Sequence, residues 1–384
     1  MKKYSVKDVT DHDTSHPKNC VAIVDNSSLE VELVTSSHLL NMRMNGASSD
    51  SVKNRAYPLC RLMNEIHRDK HIKSWQEITN PQMTGFLNLF DVKASTLHQY
   101  ITHLKSFYTW AYEFSFIDNP RYFTWSVNEN MDAAIATIKG KKGSTDPFDL
   151  YKQYISEQEF DLLLSYKDAS RDFEIARDDL VLKMAYWCGT RASETVSNIN
   201  FTIERIRSAI EESEQKGMKG ILFNIVGKGK HGGKQREIYI PPSLKDQVLR
   251  FLNGLHKLTV NSNLLFCSRQ GKPLHRNYAT RVFDSARKNL ITANPELADD
   301  WATKSSKRCY HSLRHTYATN FAVLIEKSNQ LPRRLLQERM GHSHYETTLV
   351  YIHFSAVLTG DVEVQTEVSE QLHNSTYKLK ESDT

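Results

Sequence analysis

Four short stretches of this chain carry polar residues in patterns that could do chemistry. Near the C-terminal end, RRLLQERMGHSHYETTLVYIHFS (333–355) places Tyr351 nine residues after His342. Upstream, GTRASE sets Arg191 and Glu194 three apart, the spacing of an ion pair on one helix face. GKGKHGGKQR gathers Lys228, Lys230, Lys234 and Arg236 among glycines that permit tight turns. HSLRHTYATNFAVLI sets Arg314 three residues and His315 four residues after His311. Singly, each has an ordinary explanation: an ion pair, solvated lysines, a core stripe through Tyr317, Phe321 and Leu324, an amphipathic tyrosine. The His311–His315 spacing also fits metal ligation, but no HExxH motif and no cysteine or carboxylate cluster accompanies it, so no metal is expected.

Together the stretches hold the groups that a tyrosine needs to attack a phosphodiester. A phenol titrates near pH 10, so ionising it at pH 7 costs roughly 4 kcal/mol. A neighbouring base and a positive field remove that cost. Arginine forks match the non-bridging phosphate oxygens, stay charged, and stabilise a pentacoordinate transition state as an oxyanion hole does. A lysine at a flexible tip can protonate the departing oxygen. No cofactor is called for.

The elements that must position these groups are mostly helical. Leu59, Leu62, Met63 and Ile66 recur at helical intervals, QMTGFLNLF reads as a short helix, and Leu97, Ile101, Leu104, Phe107 and Tyr108 stripe a long one after Ser95. SEQEFDLLL opens with a capping box at Ser156 and Glu159. DDLVLKMAYWCGTRASETVSN reads as a helix, a glycine break and a second helix, and IERIRSAIEESEQKGMKG as a further one. GILFNIVGKGKHGGKQREIYIPP alternates Ile221, Phe223 and Ile225, crosses the basic tip and returns through Ile238 and Ile240, which predicts a β-hairpin. Pro332 is expected to open a helix that Gly341 ends, with Ser343 and Glu346 capping the next. On one continuous helix His342 and Tyr351 would face roughly opposite ways. Placing both on one phosphate therefore predicts a break near Gly341.

These elements suggest an N-terminal extension over 1–50 with strands at CVAIVD and LEVELVT, a helical domain over 51–138, and a linker over 139–153. A mixed α+β domain over 154–358 and an acidic tail over 359–384 follow. The linker's lysines read either as a solvated tether or as a strap across a phosphate backbone. The chain of 384 residues has net charge +5. The tail contributes Asp361, Glu363, Glu367, Glu370, Glu381 and Asp383 against Lys378 and Lys380, so the remainder is more basic than the total. Five scattered cysteines without CxxC fit reduced thiols in a cytoplasmic setting. There is no apolar run of membrane-spanning length and no leader-like apolar segment at the N-terminus.

The ordered pieces GTRASE, VGKGKHGGKQREIYIP, HSLRH and MGHSHYETTLVYIH resemble the catalytic signature of the tyrosine recombinases, or phage integrase family, over about residues 52–358. The resemblance implies a mostly α fold with a small β-sheet, in which a helical core-binding domain precedes a mixed α+β catalytic domain. It implies that Arg191 and Arg314 clamp the scissile phosphate, that His311 handles the tyrosine proton, and that His342 bonds the phosphate. Tyr351 would form a 3′-phosphotyrosyl link, and Glu194 would support the site. Lys228 would be the general acid, with Lys230 and Lys234 as alternatives. Lys105, Lys139, Lys141, Lys142, Lys230, Lys234 and Arg236 would contact DNA. The implied partners are double-stranded DNA and three further copies of the chain on two duplexes, with accessory bending or directionality factors. The free protein is expected as a monomer or weak oligomer. A mobile-element integrase is the leading reading. A type IB topoisomerase-like relaxing enzyme and a catalytically silent DNA-binding protein on the same fold are the alternatives.

Overall fold

A computed structural model describes residues 2–9, 20–92, 94–120, 147–227, 233–259, 262–302, 308–328 and 332–359. The chain divides into two compact units, one of Met1–Lys142 and one built on Gly143–Lys228 and Gly233–Thr384. Among the described residues no helix is long and apolar enough to cross a membrane.

In the first unit, strands β1 (Tyr4–Val9) and β2 (Cys20–Asp25) pair antiparallel, with Tyr4 opposite Asp25 and Val9 opposite Cys20. Among the described residues four helices follow: α1 (Leu33–Met44), α2 (Ser49–Arg68), α3 (Asn80–Asn88) and α4 (Ala94–Glu113). Their starts are set by side chains that satisfy free backbone N–H groups: Glu32 before α1, Ser48 before α2, and a Thr79–Gln82 capping box on α3. The α4 stripe of Leu97, Ile101, Leu104, Phe107 and Tyr108 is buried against Leu59, Leu62 and Met63 of α2.

Residues 1–50 are not a separate extension. Val21, Ile23 and Leu39 belong to the same apolar core as α2 and α4. The Asn64 side chain accepts from the Tyr4 backbone N–H at 2.9 Å and donates to its carbonyl at 2.9 Å, tying β1 to α2. CVAIVD is a strand, as its alternation suggests, but its partner is Tyr4–Val9. LEVELVT is a strand only briefly: Val31 bridges antiparallel to Val24 of β2, with Glu32 N–H donating to the Ile23 carbonyl at 2.7 Å, before the Glu32 carboxylate accepts from Thr35 N–H and α1 starts.

The second unit begins earlier than its capping box. Residues 147–153, expected as linker, form α5 (Pro147–Gln153), whose Leu150 is buried in a cluster with Tyr351 and Ile352. Then come α6 (Glu157–Ser165), with its Ser156–Glu159 box intact, α7 (Asp172–Cys188), the short α8 (Ala192–Thr195) and α9 (Ile203–Gln215). The hairpin is β3 (Ile221–Val226) and β4 (Gln235–Ile240), in register from Ile221–Ile240 to Val226–Gln235. The remaining helices are α10 (Pro242–Asn253), α11 (Tyr278–Ala293), α12 (Ala298–Ala302), α13 (Tyr310–Ser328), α14 (Arg334–Met340) and α15 (Glu346–Thr359). Helix α7 packs against α10, α11, α13 and β4. It buries Leu180, Val181, Leu182, Met184 and Ala185 on several faces, as a central helix must.

The expected break is present. Gly341, with φ +63°, closes α14 in the left-handed conformation that glycine adopts without strain. Helix α15 starts at Glu346, later than Ser343 implied, and the Tyr345 carbonyl accepts from Thr348 and Leu349 N–H. The Lys run Lys139, Lys141 and Lys142 and the acidic tail from residue 360 lie outside the described residues.

Candidate active site

The site is built where α7, α8, β4, α13, α14 and α15 meet. Helix α7 ends at Gly189, also left-handed with φ +64°, and a Cβ there would lie 2.3 Å from the Tyr317 ring. Thr195 ties the following turn to α13. Its hydroxyl lies 2.7 Å from that of Thr190 and 2.9 Å from that of Tyr310, which donates to the Val181 carbonyl at 3.0 Å.

Arg314 is 1% exposed and spans the ends of two helices. It donates through Nη1 to the Gly189 carbonyl and through Nη2 to the Met340 carbonyl. A cation is favoured at helix C-termini, where carbonyls converge. Two of its five N–H groups are so used, which leaves three.

Arg191 and Glu194 pair as their spacing predicts, at 2.6 Å from Nη1 to Oε1, and Arg191 N–H donates to Oε2 at 2.8 Å. The second carboxylate oxygen also accepts from Arg236 Nη2 at 2.6 Å. Burial opposes ionisation of Glu194, but Arg236, Arg191 and Arg314 outweigh it and hold the carboxyl at about 2. Arg236 is therefore not the exposed DNA contact expected from its place near the hairpin tip. Both side chains of its ion pair are 2% exposed.

Tyr351 is also buried. Its ring lies between those of His315 and His342, with centroids 5.7 and 5.9 Å away and near-parallel planes. Its hydroxyl is 2.7 Å from Nδ1 of His315. Sequence reasoning assigned that proton to His311, but the histidine on the hydroxyl is His315. His311, one helical turn earlier and more exposed, packs edge-on against His315 at 4.5 Å. The 311–315 spacing, which fits metal ligation, instead puts both rings on the helix face that meets Tyr351. Among the described residues no cluster of three or more metal-type ligands occurs. His342 is steered by Thr348, whose hydroxyl lies 3.0 Å from Nδ1.

Burial pushes the Tyr351 phenol up to about 12, partly offset by Arg314 and Arg191. Burial, then His311, Arg314 and His342, hold His315 near 3. Burial followed by Arg314, Arg191 and Arg236 does the same for His342. Local desolvation and the same two arginines, Arg314 and Arg191, lower His311 to about 4. The site thus sets arginine cations, held by the ionised Glu194, among neutral imidazoles.

An opening of about 250 Å³ is lined by Arg191, Gly227, Lys234, Arg236, Gly341 and Ser343. Lys234 is exposed there, and its carbonyl accepts from Gly227 N–H at 2.8 Å. Lys228 and Lys230 lie outside the described residues. Lys105 is exposed on α4 of the first unit.

The neutral histidines predict acid lability. In the unfolded chain they titrate near 6.5, whereas His38 and His103 of the first unit are held at about 4, and His315 and His342 at about 3. A base whose folded pKa is depressed contributes stability that is present above pH 6.5 and is lost as the pH falls toward the folded value. The fully buried His38 alone costs about 1.4 kcal/mol per pH unit in that interval. Glu194 adds a loss from about pH 4.5 downward. Thermal melting from pH 7.5 to 4 should show the midpoint falling below about pH 6.5; a flat profile would contradict neutral burial.

A helical fold of this order, with an Arg–Glu pair, a buried arginine and a histidine-flanked tyrosine, defines the class. The chain belongs to the phage integrase family, whose model matches residues 153–356. The tyrosine recombinase XerH of Campylobacter jejuni is 26% identical over 243 residues, 62% of this chain and 57% of the relative. XerD of Staphylococcus saprophyticus is 32% identical over 187 residues, 47% of this chain and 50% of the relative. The chain thus spans about half the length of the curated relatives it matches. Among solved structures, XerH bound to palindromic difH aligns with TM-score 0.55 and 18% identity, covering 90% of this chain and 92% of that one. A lambda integrase dimer on a core site aligns with TM-score 0.54 and 15% identity, covering 83% and 94%. These likenesses establish the two-domain, mostly α fold with small sheets.

Proposed function

We propose that this protein is a site-specific DNA recombinase that cleaves and rejoins duplex DNA through a 3′-phosphotyrosyl link at Tyr351. The observation that carries this reading is the Tyr351 hydroxyl, 2.7 Å from His315 and flanked by the His342 ring, in the field of Arg314 and Arg191. That XerH and lambda integrase were solved on DNA supports duplex DNA as the substrate.

With its pKa at about 12, the phenol would need about 7 kcal/mol to ionise at pH 7. It therefore attacks with its proton passing to a base in the same step. His315, with Nε2 protonated, offers Nδ1 as the acceptor. The bound phosphodiester brings a negative charge among the cations, which raises the affinity of the imidazoles for protons and makes His315 a better base than in the free protein. Arg191 and the three remaining N–H groups of Arg314 hold the non-bridging oxygens, and His342 and His311 act beside them. The tyrosyl oxygen–phosphorus bond forms, the phosphorus–5′-oxygen bond breaks, and a lysine of the β3–β4 tip gives that oxygen its proton. Lys228 is the assigned donor, with Lys230 and Lys234 the alternatives, and Lys234 lines the opening. The bond energy stays in the phosphotyrosyl link, so religation needs no ATP. Lys105, Lys139, Lys141, Lys142, Lys230 and Lys234 supply sequence-independent phosphate contacts. Four copies on two duplexes, aided by bending or directionality factors, form the exchanging assembly of a mobile-element integrase.

The test is a nicked substrate from which the released short fragment, carrying the new 5′-hydroxyl, diffuses away. The expected product is a covalent complex with the DNA linked to Tyr351 and a free 5′-hydroxyl. Linkage to another residue, or no linkage across a panel of attachment-type sites, overturns the reading. Relaxation of supercoiled DNA with no recombinant product would redirect it to a relaxing enzyme of the same chemistry.

A further inference from the structure

The β4 residue Arg236 has no part in the chemistry outlined above, yet it touches both halves of the clamp. Its Nη2 donates to the Glu194 carboxylate at 2.6 Å and to the Gly189 carbonyl at 3.1 Å, while Nη1 donates to the Arg339 carbonyl. Its Cδ would lie 2.7 Å from a Cβ on Gly341, so the glycine allows the guanidinium to pass directly beneath the turn that leads into His342. One planar fork therefore joins the turn bearing Arg191 to the end of α14. A lysine, whose three N–H groups all radiate from one nitrogen, could not span acceptors set apart as these are.

We propose that Arg236 is a positioning residue that sets Arg191, through Glu194, and His342, through the α14 terminus, in fixed relation to one another. This rests on the recombinase reading above. Glu194 is shared between two guanidinium groups. Without Arg236, its full charge falls on Arg191 and draws that side chain away from the phosphate. The turn at Gly341 loses its tether at the same time, so two phosphate-binding groups lose their alignment together.

The experiment compares wild type, Arg236→Met, Arg236→Lys and the double variant Glu194→Gln with Arg236→Met in single-turnover cleavage of the nicked substrate, with DNA affinity measured alongside. The final amplitude reports the folded, competent fraction, and the rate constant reports alignment within it. Arg236→Met should lower the rate constant about 10- to 100-fold, with affinity within about twofold of wild type, and Arg236→Lys should recover only part of it. Removing the Glu194 charge as well should return some of the rate, because Arg191 is then released; a merely structural defect would instead worsen. A wild-type rate constant with reduced amplitude, or a weaker affinity with a salt slope shallower by about one, overturns the proposal. If Arg236→Met does not fold, the Arg236→Lys rate constant decides alone: a wild-type value overturns the proposal. Absence of covalent complex in the wild type would defeat the recombinase reading, whereas a normal wild type with an unaffected Arg236→Met defeats only this inference.

Discussion

Replacing Tyr351 with phenylalanine should abolish covalent complex formation, lowering cleavage by at least about 10⁴-fold because phenylalanine has no oxygen with which to attack phosphorus. The change removes one oxygen from a ring whose stacking on His315 and His342 needs only its carbon frame. The fold should lose about 1 kcal/mol, the net worth of the hydrogen bond to His315. Binding to attachment-site DNA should stay within about twofold. The measurement pairs a gel assay for covalent complex with a binding titration on the same oligonucleotide. Residual cleavage above about a thousandth of wild type would move the nucleophile elsewhere.

The second large effect is expected at His315. His315→Ala should reduce single-turnover cleavage by about 10² to 10⁴, the usual range for loss of a general base. Its pH dependence is the sharper readout. In the wild type, His315 must be neutral to accept the proton, so the rate rises as pH climbs through its pKa in the DNA complex and then levels. In the variant the phenol can give its proton only to water or hydroxide. The rate should keep climbing with pH toward the phenol's own value of about 12. His311→Ala, altering a ring that meets His315 only edge-on, should keep the wild-type shape. A levelled wild-type profile in His315→Ala, with the climbing profile in His311→Ala, would return the proton to His311.

Much of this is legible in the sequence. Hydrophobic period gave α2, α4 and the β3–β4 hairpin, and glycine placement gave the breaks after α7 and α14. The departures have definite physical causes. LEVELVT alternates like a strand and pairs with β2 at Val31, but the Glu32 cap on Thr35 N–H cuts it short and turns its second half into a helix start. Residues 147–153 carry linker composition, yet Leu150 finds an apolar pocket beside α15, and tertiary burial decides such a short segment. Arg236 was read by its neighbours in sequence. Its parity with Ile238 and Ile240 already placed it on the inward face of β4, where a guanidinium requires a partner such as Glu194. For the proton acceptor, spacing alone could not separate His311 from His315. They share a helix face, and which one meets Tyr351 depends on how α15 packs against α13.

The two backbone bonds of Arg314 bear on how an inactive protein should be made for mapping target sites. Because the same side chain fastens the ends of α7 and α14, an arginine knockout is a poor decoy. Its silence on DNA would confound lost chemistry with a loosened domain, and sites bound only by the intact shape would drop out of the map. The tyrosine, whose oxygen among the described residues fastens only His315, is the place to switch the protein off while leaving its grip on DNA to be read.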